Sequence, residues 1–313
     1  MKPLKHDKPL VSIGLPVYDG DRYIRKALDS LLAQDYENFE LIISDNGSTD
    51  RTQEICLEYT ARDKRIQYYR NDMNMGAVWN FERVLQLSTG DFFMWAADDD
   101  AWEKDYVSTL LSVMTQFPKS IGSFTNYMKY SENGDLLGNE ELISSKVCEL
   151  GFRELIGMVF SSQKINVALY GLFRRKELQT LLKDGLPYWE VLDRATIAHF
   201  ALSGKKVTLI NKYLYKRTIH DKSFALRYGY TIQHNKFSAF IRYGMSRLRY
   251  YISFIKLLVK YSRSNSINNI LYFSRKFTGY VFMIENFYLR SYSIAILRKL
   301  PCSRLIISRI KRV

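Results

Sequence analysis

The first hundred residues fall into short apolar runs, each stopping at a cluster of turn-forming or acidic side chains. Leu10-Val11-Ser12-Ile13-Gly14-Leu15-Pro16-Val17-Tyr18 is rich in branched residues and bounded by Asp19-Gly20, the pattern of a buried strand. Residues 21–34 then place Tyr23, Ala27, Leu28, Leu31 and Leu32 at helical spacing. A second strand over 39–44 ends at Asp45-Asn46-Gly47-Ser48-Thr49-Asp50, which offers a turn glycine and several N-caps for a helix over 50–62. A third strand over 66–69, a third helix over 77–87 and a fourth strand over 91–97 follow.

Strand and helix alternating across short polar loops predict an α/β fold with a parallel, doubly wound sheet. Such sheets bind ligands beyond the carboxyl ends of their strands. Tyr18-Asp19, Asp45-Asn46, Arg70-Asn71 and Asp98-Asp99-Asp100 all fall there, so four polar clusters are expected to line one crevice. Further on the alternation weakens. A helix over 103–117 is stopped by Pro118, and 121–130 is strand-like with a turn at Glu132-Asn133-Gly134. Helices are expected over 151–160 and 190–202, and a strand over 207–217.

The acid triplet changes the picture from fold to chemistry. Adjacent carboxylates repel one another, and partial desolvation at a strand end makes them costly unless a cation or a set of donors sits there. A divalent metal carrying a phosphate-bearing ligand is one such cation; an Asp that caps the helix near Glu103 is the plainer alternative.

Charge divides the chain more sharply than any linker. Residues 226–313 hold 17 Lys and Arg against a single acid, Glu285, whereas residues 1–225 hold 29 basic and 31 acidic residues. Within the tail, Arg242, Arg249, Lys256, Lys260 and Arg263 form one stripe of a helix, with Phe240, Tyr251, Phe254, Ile255 and Leu258 on its other side. Such a helix suits an anionic membrane interface, or else packs as an ordinary amphipathic helix. Interleaved cations and aromatics also fit nucleic acid, the less favoured partner. Cys56, Cys148 and Cys302 are scattered and odd in number, which argues against a disulfide framework and for a reducing, cytoplasmic compartment. Neither a signal peptide nor a spanning apolar run is expected.

Taken together, Val11 to Tyr18, Ile43-Ser44-Asp45-Asn46-Gly47-Ser48-Thr49-Asp50, Asn74-Met75-Gly76 with Asn80, and the Asp triplet before Trp102 resemble the family 2 glycosyltransferases. The resemblance covers about residues 9–223 and implies a GT-A (Rossmann-like) catalytic domain over 1–225, followed by a basic, mainly helical region over 226–313. It implies an inverting transferase that takes a sugar from a nucleotide-diphosphate sugar and gives it to a glycan or lipid-linked acceptor, as in bacterial surface polysaccharide assembly. Such a protein would work on the inner face of the cell membrane.

The resemblance also assigns roles. Pro16, Val17, Tyr18, Asp45, Asn46, Asn74, Asp98 and Asp99 would contact the donor, and Asp98, Asp99 and Asp100 would hold Mg²⁺ or Mn²⁺, with His220 a further metal or phosphate ligand in the Arg217-Thr218-Ile219-His220 segment. Counting back from Gly204 selects Asp193 as the base, with Glu190 in reserve. Asp19 and Ala97 stand where the family often has Asn and Asp, so which two acids hold the metal stays open. Asn71, Asn74 and Asn80 also suit turns and helix ends, and Met73, Met75 and Trp79 are expected to pack. A nucleotidyltransferase shares the nucleotide and metal needs, but the sequence Tyr18-Asp19-Gly20-Asp21 lacks the glycine-rich basic loop it would use.

Overall fold

The computed structural model describes residues 8–161, 163–183, 192–220, 260–261 and 268–277. The chain divides into two compact units, Met1–Ser264 and Asn265–Val313. Apart from Lys260 and Tyr261, which are helical, the basic stripe from 240 to 263 lies outside the described residues, as do Glu190 and the expected boundary at 225. In the second unit residues 268–277 are helical, with Phe273 stacked on Phe277 at 6.2 Å.

The first unit opens with β1 (Val11–Val17), α1 (Ile24–Leu32), β2 (Phe39–Asp45), α2 (Thr52–Arg62), β3 (Ile66–Arg70), α3 (Ala77–Leu87) and β4 (Phe92–Trp95). Their sheet order is β3-β2-β1-β4, all parallel, as the alternation predicts. Every residue of β1 and β2 is buried, because helices cover both faces and leave no side to water. Odd-numbered Val11 to Val17 join α1, α2 and α4 (Tyr106–Gln116) in one core cluster. The opposite face turns Gly14 toward α3, where an added Cβ would lie 2.8 Å from Val84.

Pro16 sits inside a central strand, which proline rarely tolerates. The carbonyl of Gly14 accepts the Ala96 N–H at 2.8 Å, so Gly14 and, two residues on, Pro16 face β4. Pairing with β4 ends at Gly14, so the missing N–H of Pro16 falls where no strand remains to accept it.

The sheet continues through elements with no clear polarity pattern: β5 (Ala101–Trp102), β6 (Ser120–Ser131), β7 (Leu136–Glu140), β8 (Val147–Leu150), β9 (Leu172–Arg174) and β10 (Lys206–Ile219). The full order is β3-β2-β1-β4-β9-β6-β10-β5, with β7 on β6 and β8 on β10. Helices α5 (Phe152–Ser161), α6 (Arg175–Leu181) and α7 (Leu192–Leu202) and a 3₁₀ segment, Gln163–Tyr170, complete it. β5, β7, β8, β9 and α6 are additions to the expected elements. Met73 and Met75, expected to pack, are instead exposed, because they lie on the loop before α3 beyond the reach of either core face.

Candidate donor and catalytic site

The four expected polar clusters do meet beyond the strand ends. The loop after β2 is tied to β1 by the Asn46 N–H on the Val17 carbonyl (2.9 Å), and the one after β3 to β2 by the Asn71 N–H on the Asp45 carbonyl (2.9 Å). Asp45 is fully buried; one oxygen accepts the Ser48 N–H at 2.8 Å and the other the Tyr68 hydroxyl at 2.6 Å, with Arg70 Nε 3.7 Å away. Burial and Asp45 together raise the Tyr68 hydroxyl well above its usual range, keeping it a donor. Pro16 and Val17 are buried, so of the three residues expected at the end of β1 only Tyr18 presents a partly exposed side chain.

The asparagines hold the loops together. Asn46 Oδ1 accepts from Asn71 Nδ2 and the Met75 N–H, each at 2.9 Å, and its Nδ2 donates to Asn74 Oδ1 at 2.8 Å. Asn80 fastens α3 to the sheet through Ser44, accepting from its hydroxyl at 2.6 Å and donating to its carbonyl at 2.8 Å. Among the described residues, the buried Oδ1 of Asn71 and Oγ1 of Thr218 have no hydrogen-bond partner, two acceptors left open at the ends of β3 and β10.

The triplet is built from unlike members. Asp98 is buried against Gly20, where an added Cβ would fall 2.5 Å from its Oδ2. Asp100 is buried, accepting the Thr218 N–H at 2.7 Å and the Tyr215 hydroxyl. Burial first and the neighbouring Asp99 charge second push its carboxyl up to about 7. Asp99, less buried, meets His220: Nε2 lies 2.7 Å from Asp99 Oδ2, while Nδ1 lies 2.8 Å from Oε1 of Glu132 in the β6–β7 turn. The His220 and Tyr23 rings pack in a T-shaped arrangement, with centroids 5.0 Å apart. Just before α1, Asp19 takes a left-handed φ of 48°, and its Oδ1 accepts the Thr49 N–H at 2.7 Å.

Asp193 occupies the first turn of α7, where the helix dipole favours a negative charge. Its Oδ1 accepts the Arg194 N–H at 2.6 Å. Burial raises its carboxyl, with the Arg194 N–H and the Arg194 and Arg217 charges opposing. Burial, and then the charges of Asp100, Asp99 and Asp193, raise the Tyr170 hydroxyl, with Arg217 opposing. Burial works against the Arg217 charge, but Tyr215, Asp100, Tyr170 and Tyr127 outweigh it and raise the group. The sequence reading missed this tyrosine collar, in which Tyr170 and Tyr127 lie 5.7 and 6.3 Å from the Tyr215 ring. Their signal was faint, since aromatic residues are common throughout the chain.

The fold and these strand-end acids define a GT-A glycosyltransferase architecture. The crystal structure of S. aureus TarS 1-349 in complex with UDP-GlcNAc superposes with a TM-score of 0.54 at 20% identity, covering 68% of this chain and 59% of that one. An uncharacterized glycosyltransferase of Rickettsia typhi is 32% identical over 166 residues, 52% of this chain and 46% of that protein. A putative teichuronic acid biosynthesis glycosyltransferase of Bacillus subtilis, TuaG, is 33% identical over 127 residues, 41% of this chain and 50% of that protein. The chain thus spans about half the length of these two relatives. The model of glycosyl transferase family 2 matches residues 12–182, more than half of the chain, and the chain belongs to that family.

Proposed function

We propose that the protein is an inverting glycosyltransferase, moving a sugar from a nucleoside-diphosphate sugar to a hydroxyl of a glycan or lipid-linked acceptor in bacterial surface polysaccharide assembly. One observation carries the reading: in a chain that belongs to glycosyl transferase family 2, the buried Asp45 and the acid triplet gather beyond the carboxyl ends of the parallel strands. TarS, in complex with UDP-GlcNAc, and TuaG, named for teichuronic acid, support the donor and acceptor classes. Family membership leaves a nucleotidyltransferase without support.

In this reading Asp45 faces the nucleobase and Asp98 the ribose, with the open acceptor of Asn71 beside Asp45 and that of Thr218 beside Asp100. Mg²⁺ or Mn²⁺ suits the hard oxygen donors of the triplet and would stabilise charge on the departing diphosphate. Among the described residues no group of three or more His, Cys, Asp or Glu stands ready to hold a metal. Mg²⁺ is usually held by one or two carboxylates with substrate phosphates and water, so Asp99 and Asp100, with His220 adjoining, fit that need. Asp193 takes the acceptor hydroxyl proton as that oxygen attacks C1 of the sugar from the face opposite the diphosphate. The C1–O bond breaks with its electron pair leaving on the diphosphate oxygen. A carboxyl raised by burial is a better base near neutral pH, and such a base contributes about 10² to 10⁴-fold.

Residues 1–225 form the catalytic domain in this account, and 226–313 hold it to anionic lipid on the inner face of the cell membrane, the 17 cations supplying the attraction. No helix among the described residues is long and apolar enough to cross a membrane. A screen of nucleotide sugars with Mn²⁺, read by thermal stabilisation and diphosphate release, tests the reading. Stabilisation by one donor class is expected, since a ligand that binds only the native state raises stability by mass action. Stabilisation by none of them sinks it.

A further inference from the structure

His220 is gripped from three separate parts of the chain. Asp99 comes from the loop after β4, Glu132 from the β6–β7 turn, and Tyr23 from the entry to α1. Glu132 is itself held, its Oε2 2.9 Å from Arg22 Nη2, and the Arg22 guanidinium also lies over the Tyr23 ring at 5.0 Å. The Glu132 and His220 side chains are largely enclosed, at 18% and 16% exposure, while Arg22 is open to solvent at 65%.

An imidazole has two ring nitrogens, and the partner of one decides what the other can do. With Nδ1 facing Glu132, Nε2 is the atom presented to Asp99. Histidines that bind metal or phosphate are typically backed in this way by a carboxylate that fixes ring orientation and tautomer. His220 follows directly on β10, so Glu132 ties the end of that strand to the loop that carries the triplet.

We infer that Glu132 is a positioning residue for donor binding: it fixes the His220 ring so that Nε2 and Asp99 together meet the diphosphate side of the donor. This rests on the proposed donor reading. Arg22, being exposed, steadies Glu132 only weakly.

The test uses the full chain with ¹⁵N-histidine labelling and calorimetric titration of UDP, GDP and TDP, each with Mn²⁺. Only four histidines are present, so a His220→Ala spectrum assigns the His220 ring directly. Glu132→Ala is expected to shift the His220 Nδ1 resonance and to weaken nucleotide binding 10- to 100-fold, the usual cost of losing such a backing partner. Glu132→Gln, which keeps an acceptor oxygen for Nδ1–H, should retain most of the affinity, and Arg22→Ala should lose less than Glu132→Ala. The Glu132→Ala/His220→Ala pair should bind no more weakly than His220→Ala alone, since the two act as a unit. Unchanged His220 resonances in Glu132→Ala, affinity within twofold of wild type, or additive losses in the pair would each overturn the inference. If the wild-type protein binds none of the three nucleotides, the donor reading fails by itself. The ring resonances then decide: a shift in Glu132→Ala upholds the clasp and no shift removes it.

Discussion

The two ends of the same sheet each bury a carboxylate, and the two are treated in opposite ways. At the amino end of the parallel strands, Glu40 accepts from Ser12 Oγ at 2.6 Å, the Thr89 N–H at 2.7 Å, Thr89 Oγ1 at 2.9 Å and Gln67 Nε2 at 2.9 Å. Burial alone would raise it, but those four donors outweigh burial and hold its carboxyl below the usual range. At the carboxyl end, Asp100 has two donors and a charged neighbour in Asp99, and its carboxyl is raised to about 7. A buried acid whose charge is fully answered by its own chain holds a fold together. One whose charge remains costly marks where a ligand is expected to complete the balance.

The largest expected effect falls on Asp193, the proposed base. Asp193→Asn should lower kcat about 10² to 10⁴-fold while leaving nucleotide affinity nearly intact, read by steady-state kinetics beside calorimetry. Equal losses in kcat and affinity would place Asp193 in donor binding instead. Next comes the answered acid. Glu40→Ala strands several buried donors, and at about 1–3 kcal/mol for each group left unpaired it should lower thermal stability by several degrees without altering nucleotide affinity.

Legibility in the sequence follows the same division. The parallel half was readable because each strand is a continuous apolar run closed by polar turn residues, and Asp45 and the triplet could be placed at strand ends from that pattern alone. The second half was not. β5 is two residues long and exists only because β10 pairs with it, and β7 is largely exposed with no alternation to betray it. Glu132 meets both His220 and Arg22 across long sequence separations, which no local period records. Met73 and Met75 show the converse error, where apolar character was read as burial on a loop that has no core to enter.

A pH comparison separates the two buried acids by sign. Glu40, lowered in the folded state, contributes stability above its unfolded value that is lost as pH falls through its folded one. Asp100, raised, contributes stability at low pH that is lost as pH rises through about 7. Asp100→Asn should therefore raise the melting temperature above pH 7, with the advantage vanishing below about pH 4, where Asp100 is protonated in the folded and unfolded states alike. A constant or reversed difference would remove the contrast between the two ends.

Smaller still, Gly20→Ala must displace the Asp98 carboxylate or Val17, at about 1–3 kcal/mol for such crowding, and should weaken nucleotide binding more than it lowers the melting temperature. At the bottom of the scale, Arg51→Ala breaks an exposed ion pair with Glu54 at 3.0 Å and should cost roughly 0–1 kcal/mol, with no change in binding.

The central claim is that the carboxyl end of the sheet is a nucleotide-diphosphate site with Asp45 at its base and the acid triplet at its mouth. Calorimetric titration of UDP, GDP and TDP with Mn²⁺ into wild type, Asp45→Ala and Glu40→Gln tests it most directly. The account predicts saturable binding of one nucleotide to wild type, near-wild-type affinity in Glu40→Gln, and loss of binding in a folded Asp45→Ala. Affinity that survives Asp45→Ala, or falls equally in Glu40→Gln, would contradict it.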